Sequence, residues 1–178
     1  MSYGKVKAVV AGHGAGAACP FGLDLGGALK AAGVERAVAP AGGAEPPVRA
    51  EVVPGQEVRP ESVQVWCSYT AGATPVEIGV LAAPAEKIAV NLALPYLQRA
   101  GRLTVDQLTA VSTDQPSPGE ARTTPGAASV GIARRAVTGK GDLALLVSQG
   151  TETSDLDRAL TGEPLRKVAE ALAAQLHV

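Results

Sequence analysis

Apolar positions along this chain fall into short runs and helix-spaced stripes, separated by glycine, proline and small polar residues. Residues 5–11 (KVKAVVA) are β-branched and apolar and end at a glycine, which predicts a strand. A glycine-rich loop follows at 12–18, then a helix over 25–32 (LGGALKAA) that stops at Gly33. Residues 34–38 predict a second strand. Residues 39–49, with Pro40, Pro46 and Pro47, predict a loop, and 49–53 a short edge strand. Residues 62–67 (SVQVWC) alternate as a strand does, and 68–75 read as a small-residue loop. The run at 76–82 suits strand or helix, being too short for its period to decide. Residues 84–100 predict the central helix, interrupted or kinked at Pro95 and ended by Gly101. A strand at 108–112, a polar loop at 113–126 and a helix of small residues at 127–137 come next. Residues 142–148 (DLALLVS) read as a buried strand. The chain closes with an amphipathic helix over 165–176, in which Val168, Leu172 and Leu176 lie four apart.

This alternation of strand and helix predicts a single α/β domain over residues 1–178, with a mostly parallel or mixed sheet and flanking helices. Composition supports one packed unit. With 46% hydrophobic residues the chain can bury a core, and with 3% aromatics that core must be built from Ala, Val, Leu and Ile. A net charge of -1, from 16 scattered basic and 17 acidic residues, argues against a nucleic-acid partner. No apolar run reaches the roughly 20 residues that cross a bilayer, and no leader pattern opens the chain. A cytoplasmic location without a membrane partner is therefore expected. Two cysteines, Cys19 and Cys67, and two histidines make a disulfide framework or a zinc site unexpected there.

Three stretches carry candidate chemistry. Gly12, Gly14 and Gly16 follow one predicted strand and precede a predicted helix, the setting in which backbone N–H groups cradle a phosphate or another anion. The third glycine of the full dinucleotide pattern is replaced by Ala17, and the alternative is a plain tight turn. Cys67 ends a predicted strand, where a nucleophile can meet a substrate, and His13 at the end of another could serve as its base. The alternative is a buried, inert cysteine beside Trp66. Thr151, Glu152 and Asp155 lie beyond the strand at 142–148, where ligands gather in α/β sheets, although Ser154 or Asp155 could equally cap a turn. Ser112, Thr113 and Asp114 stand beyond another predicted strand, and Arg134 and Arg135 suit a solvated helix face.

Three segments together resemble the N-terminal half of the thiolase-type ketosynthases: 9–24 (VVAGHGAGAACPFGLD), 92–117, and 128–152 (ASVGIARRAVTGKGDLALLVSQGTE). The family's nucleophilic cysteine belongs where this chain has Thr123, Thr124, Pro125 and Gly126, and its paired histidines belong to a half not present in these residues. The resemblance therefore implies a reduced, non-condensing relative that binds an acyl group or pairs with a partner subunit. The opening strand, residues 31–34 (AAGV) and Pro46-Pro47 more weakly resemble the pyruvoyl-dependent arginine decarboxylases, but the serine that becomes the pyruvoyl group is missing around Gly42 and Gly43. The expectation is a small ligand-binding or partner protein, a homodimer or subunit, taking an acyl-type or anionic ligand. A small cysteine enzyme using Cys67 and His13 is the alternative. The sequence names no cofactor.

Overall fold

A computed structural model describes residues 2–13, 18–42, 62–126, 128–150 and 156–176. The chain opens with helix α1 (Tyr3–Ala11), a 3-10 turn (Pro20–Gly22) and helix α2 (Leu25–Ala31). Strands β1 (Val38–Pro40), β2 (Val63–Ala71) and β3 (Thr74–Ala83) follow, then helices α3 (Ala89–Leu92), α4 (Leu94–Gly101) and α5 (Val105–Thr113). Strands β4 (Ala121–Thr123), β5 (Gly131–Arg135) and β6 (Asp142–Ser148), a 3-10 turn (Arg158–Leu160) and helix α6 (Gly162–Ala174) complete it.

The six strands form one sheet in the order β1-β2-β3-β6-β5-β4. Every neighbouring pair is antiparallel. This corrects the expected α/β fold with a mostly parallel or mixed sheet: the architecture is α+β. Parallel neighbours need crossover connections, and the segments read as alternating strand and helix do not supply them. The 5–11 segment is helical, because Val6 and Val10, four apart, are buried on one side and Ser2 Oγ caps the N-terminus at Lys5 N. The 127–137 segment contains β5, not a helix. The 68–75 segment is no loop either: β2 and β3 run on to a two-residue turn that pairs Ala71 with Thr74.

Alternation along the strands sends side chains to two buried faces. On the first, Val65, Ile78, Val80, Leu143 and Leu145 meet Val6 and Val10 of α1, Leu29 of α2 and Leu165, Val168 and Leu172 of α6. On the second, Leu81, Ala144, Leu146 and Ile132 meet Ala89 and Val90 of α3, Leu97 and Ala100 of α4, and the half-buried Leu108 and Val111 of α5. Small residues permit the close approach. A Cβ on Gly131 would lie 2.9 Å from the Leu165 carbonyl oxygen, so α6 can lie against β5 only over a glycine. Pro95 falls in the first turn of α4, where its missing N–H costs nothing, and the predicted single helix is broken at Ala93.

Candidate functional site

At one end of the second face, register aligns Ser68 of β2, Glu77 of β3 and Ser148 of β6 in a row across the sheet. Tyr96, from the first turn of α4, reaches down onto that row. Its hydroxyl donates to Glu77 Oε2 at 2.6 Å and lies 2.6 Å from Ser148 Oγ. Gly150 N–H donates to the same Ser148 Oγ at 3.0 Å. A phenol has one proton, and here Glu77 takes it, so the Ser148 hydroxyl must donate to Tyr96. The result is a one-directional chain, Gly150 N–H to Ser148 to Tyr96 to Glu77, in which each bond polarises the next. Burial and the adjacent Glu77 carboxylate push the Tyr96 phenol well above its ordinary value, against smaller opposing effects of Ser148 and Arg99. Glu77 Oε1 has no partner among the described residues.

The aromatic part of this corner is set by a glycine. A Cβ on Gly79 would lie 2.5 Å from the six-membered ring of Trp66, so the indole rests flat on the strand only because Gly79 has no side chain. The Tyr96 ring packs on it, with centroids 4.1 Å apart and planes tilted by 36°. Both rings are half-buried. Beyond Ser148, Gln149 fixes the chain on the far side of residues 151–155: its Nε2 donates to the Asp157 and Leu160 carbonyls at 2.8 and 3.1 Å, and its Oε1 accepts Asp157 N–H at 2.7 Å. Asp157 is held below the usual carboxylate range by the Ala159 N–H, Thr74 hydroxyl and Arg36.

The opposite end of the same face holds an ion pair. Arg134 donates to Asp142 Oδ1 through Nε at 3.0 Å and Nη2 at 2.7 Å, and to the Pro116 carbonyl through Nη1 at 3.0 Å. Asp142 Oδ2 accepts Ala89 N–H at 2.9 Å, satisfying the start of α3. The two side chains are 6% and 1% exposed. Arg134 is thus a buried strand residue, which corrects its expected place on a solvated helix face.

The other predicted residues fall elsewhere. Cys67 points to the first face, opposite Trp66, and its Sγ is bonded to Cys19 Sγ, with Cα atoms 5.6 Å apart. That corrects the expectation of unpaired cysteines. Forty-eight positions separate them, but the segment before α2 folds back over β2. In this form Cys67 has no thiol. His13 follows α1, its Nε2 is buried without a hydrogen-bond partner, and no hydrogen bond joins it to Cys67 among the described residues. Gly12 ends α1, with its N–H bonded to the Ala8 carbonyl at 3.0 Å. A helix C-terminus presents carbonyl oxygens, which disfavour an anion, so the strand-to-helix setting of the phosphate reading is absent at Gly12. Gly14, Gly16, Thr151, Glu152, Ser154 and Asp155 lie outside the described residues. Ser112 and Thr113 are the last residues of α5, not the tip of a strand.

The chain matches no family model, no curated protein and no solved structure. Among the described residues, no group of three or more His, Cys, Asp and Glu could hold a metal ion, and no helix is long and apolar enough to cross a membrane.

Glu77, Tyr96 and Ser148 were not among the candidates that the sequence offered. A signal existed for Glu77, a charged residue inside the otherwise apolar run at 76–82. For Tyr96 it was scarcity, since the chain has only three tyrosines.

Proposed function

We propose that this chain is a binding protein and that its ligand or partner engages the Glu77–Tyr96–Ser148 corner of the sheet. The observation that carries this reading is a preset acceptor: Tyr96 fixes Glu77 through Oε2 and leaves Oε1 without a partner among the described residues. Such a group takes hydrogen bonds without first having to be ordered, which is where binding costs are saved. Catalysis by the same residues is disfavoured. Ser148 is only 1% exposed, so its hydroxyl does not reach a substrate, and the raised Tyr96 phenol keeps its proton at neutral pH.

The chemistry fits a small molecule or peptide group rich in hydroxyl or amide donors, packed beside the Trp66 and Tyr96 rings. An anionic ligand would meet the Glu77 carboxylate first. The Cys19–Cys67 bond weighs toward an oxidising compartment, against the cytoplasmic placement expected from the sequence.

Trp66 is the only tryptophan in the chain, so its emission reports on this corner alone. Titration with panels of polyols, sugars, amides and short peptides should shift that emission for at least one class. Glu77→Gln should weaken the response while the fold, followed by circular dichroism, is kept. A ligand found by thermal shift that binds Glu77→Gln and wild type equally would place the site elsewhere and end the proposal.

A further inference from the structure

We propose that the Cys19–Cys67 bond is a thiol-exchange site that latches residues 18–23 over the first face of the sheet, with attack falling on Cys19. The two sulfurs differ in access. Cys67 sits in the inner row of β2 and is 3% exposed, whereas Cys19 is only partly buried and meets the surface. The segment they hold is under backbone constraint. Phe21 has φ 74 and Gly22 has φ 59, two successive left-handed residues, the first of a type that rarely adopts that region. Such a conformation persists only where its surroundings over-determine it. Pro20 and Leu23 are buried on either side. The downstream end is clamped independently of the sulfurs: Asp24 N–H donates to Gln175 Oε1 at 2.6 Å, and Gln175 Nε2 donates to the Asp24 carbonyl at 3.1 Å. Asp24 Oδ1 also caps α2 at Gly27 N. Breaking the disulfide therefore removes the covalent tie of the Cys19 end to β2 and leaves the Asp24 end in place.

The exchange balances with a dithiol as reductant. Its thiolate attacks Cys19 Sγ, the Cys19–Cys67 bond breaks, and the electron pair leaves on Cys67 Sγ. That sulfur takes a proton from solvent, because apolar surroundings disfavour a thiolate. The second thiol of the reductant attacks the mixed disulfide and releases Cys19, and the reductant departs as a cyclic disulfide. Two electrons pass to the protein. Phe21 then relaxes, and the surface of β2 around Cys67 is uncovered.

The test uses the native chain. Treatment with reduced glutathione, followed by acid quench, alkylation and mass mapping, should find glutathione on Cys19 and the alkylating label on Cys67. Dithiothreitol without denaturant should cause loss of amide protection at 18–23, with β3 and β6 still protected, and reoxidation should restore it. A bond reduced only in denaturant, an adduct on Cys67, or protection lost across the whole sheet would each overturn the proposal. Cys19→Ser should reproduce the opened segment at any redox poise; if that variant does not fold, reduction of the wild type still decides.

Discussion

The two ends of the second sheet face solve the burial of polar groups in opposite ways. At one end, Arg134 and Asp142 are sealed among Pro116, Ala89 and each other, and each of their side-chain nitrogens and oxygens has a partner within the protein. At the other, Glu77, Tyr96 and Ser148 form a hydrogen-bonded row that ends in a carboxylate oxygen without a partner among the described residues. The first arrangement ties β5, β6, α3 and the 116 loop into one geometry. The second shares β6 with it, joins that strand to β3 and α4, and keeps an acceptor in reserve. The difference teaches which group of side chains is structural: every side-chain polar atom of Arg134 and Asp142 has a partner, whereas Glu77 keeps one oxygen without a partner among the described residues, and a site that binds needs such capacity.

The sharpest way to break the comparison is to remove one partner of the sealed pair. Asp142→Ala leaves the Arg134 guanidinium buried without its counter-charge and strips the Ala89 N–H of its acceptor. A loss of about 3–5 kcal/mol is expected. Urea unfolding should show a lower midpoint at an unchanged slope. The paired replacement Arg134→Met with Asp142→Leu should recover much of that loss, since neither charge then remains to be paired. If Asp142→Ala costs no more than an ordinary surface change, the ion pair is not sealed from water and the contrast between the two ends disappears.

Gly79 tests whether the other end depends on shape. Gly79→Ala places a methyl group against the Trp66 ring, so the indole must lift and Tyr96 must follow. A cost of about 1–3 kcal/mol is expected, with a shift in Trp66 emission. Gly79 and Asp142 share no hydrogen-bond partner, so combining the two changes should be additive to within about 0.5 kcal/mol. Strong coupling between them would mean that the two ends form one network.

How much of this could be read from residues alone varied with the kind of signal. β6 and α6 were legible because DLALLVS is continuous and buried, and because Val168 and Leu172 repeat at the helical spacing. α1 resembled a strand because KVKAVVA is short, apolar and valine-rich, and it is packing under Val6 and Val10, with the Ser2 cap, that makes it a helix. For α5 a local signal existed. Thr104 and Gln107 form a capping box, with Thr104 N–H bonded to Gln107 Oε1 at 2.9 Å, and that start overrides the β-like LTAVS that follows. β5 was hidden because Gly131 is chosen for the approach of α6, a contact made by a residue more than thirty positions away. The candidate corner was not legible for the same reason. Glu77, Tyr96 and Ser148 meet only once β3 and β6 pair, and the antiparallel pairing itself was unforeseen. The disulfide likewise joins residues that no spacing relates.

A finer cut at the open end comes from Tyr96→Phe, which keeps the ring on Trp66 and deletes one hydroxyl. Ser148 retains the Gly150 N–H but loses the acceptor for its own proton, and Glu77 loses its anchor. The expected cost is about 1 kcal/mol, the smallest of the three substitutions. The pH dependence of that difference is the more searching measurement. A phenol raised in the folded state holds its proton more tightly than it does in the unfolded chain, where it titrates near 10. Its contribution is whole below that pH and is lost as pH climbs toward the folded-state value. Tyr3 and Tyr69 are also raised by burial, so alkaline destabilisation of the wild type alone does not isolate Tyr96. The stability gap between wild type and Tyr96→Phe does, and it should narrow as pH rises above about 10. Absorbance at the phenolate band gives the complementary view, with the Tyr96 phenolate appearing only as the wild type unfolds. A Tyr96 that titrates near 10 in the folded protein would mean that water already occupies the corner, and that the row from Gly150 to Glu77 is not preset for a ligand.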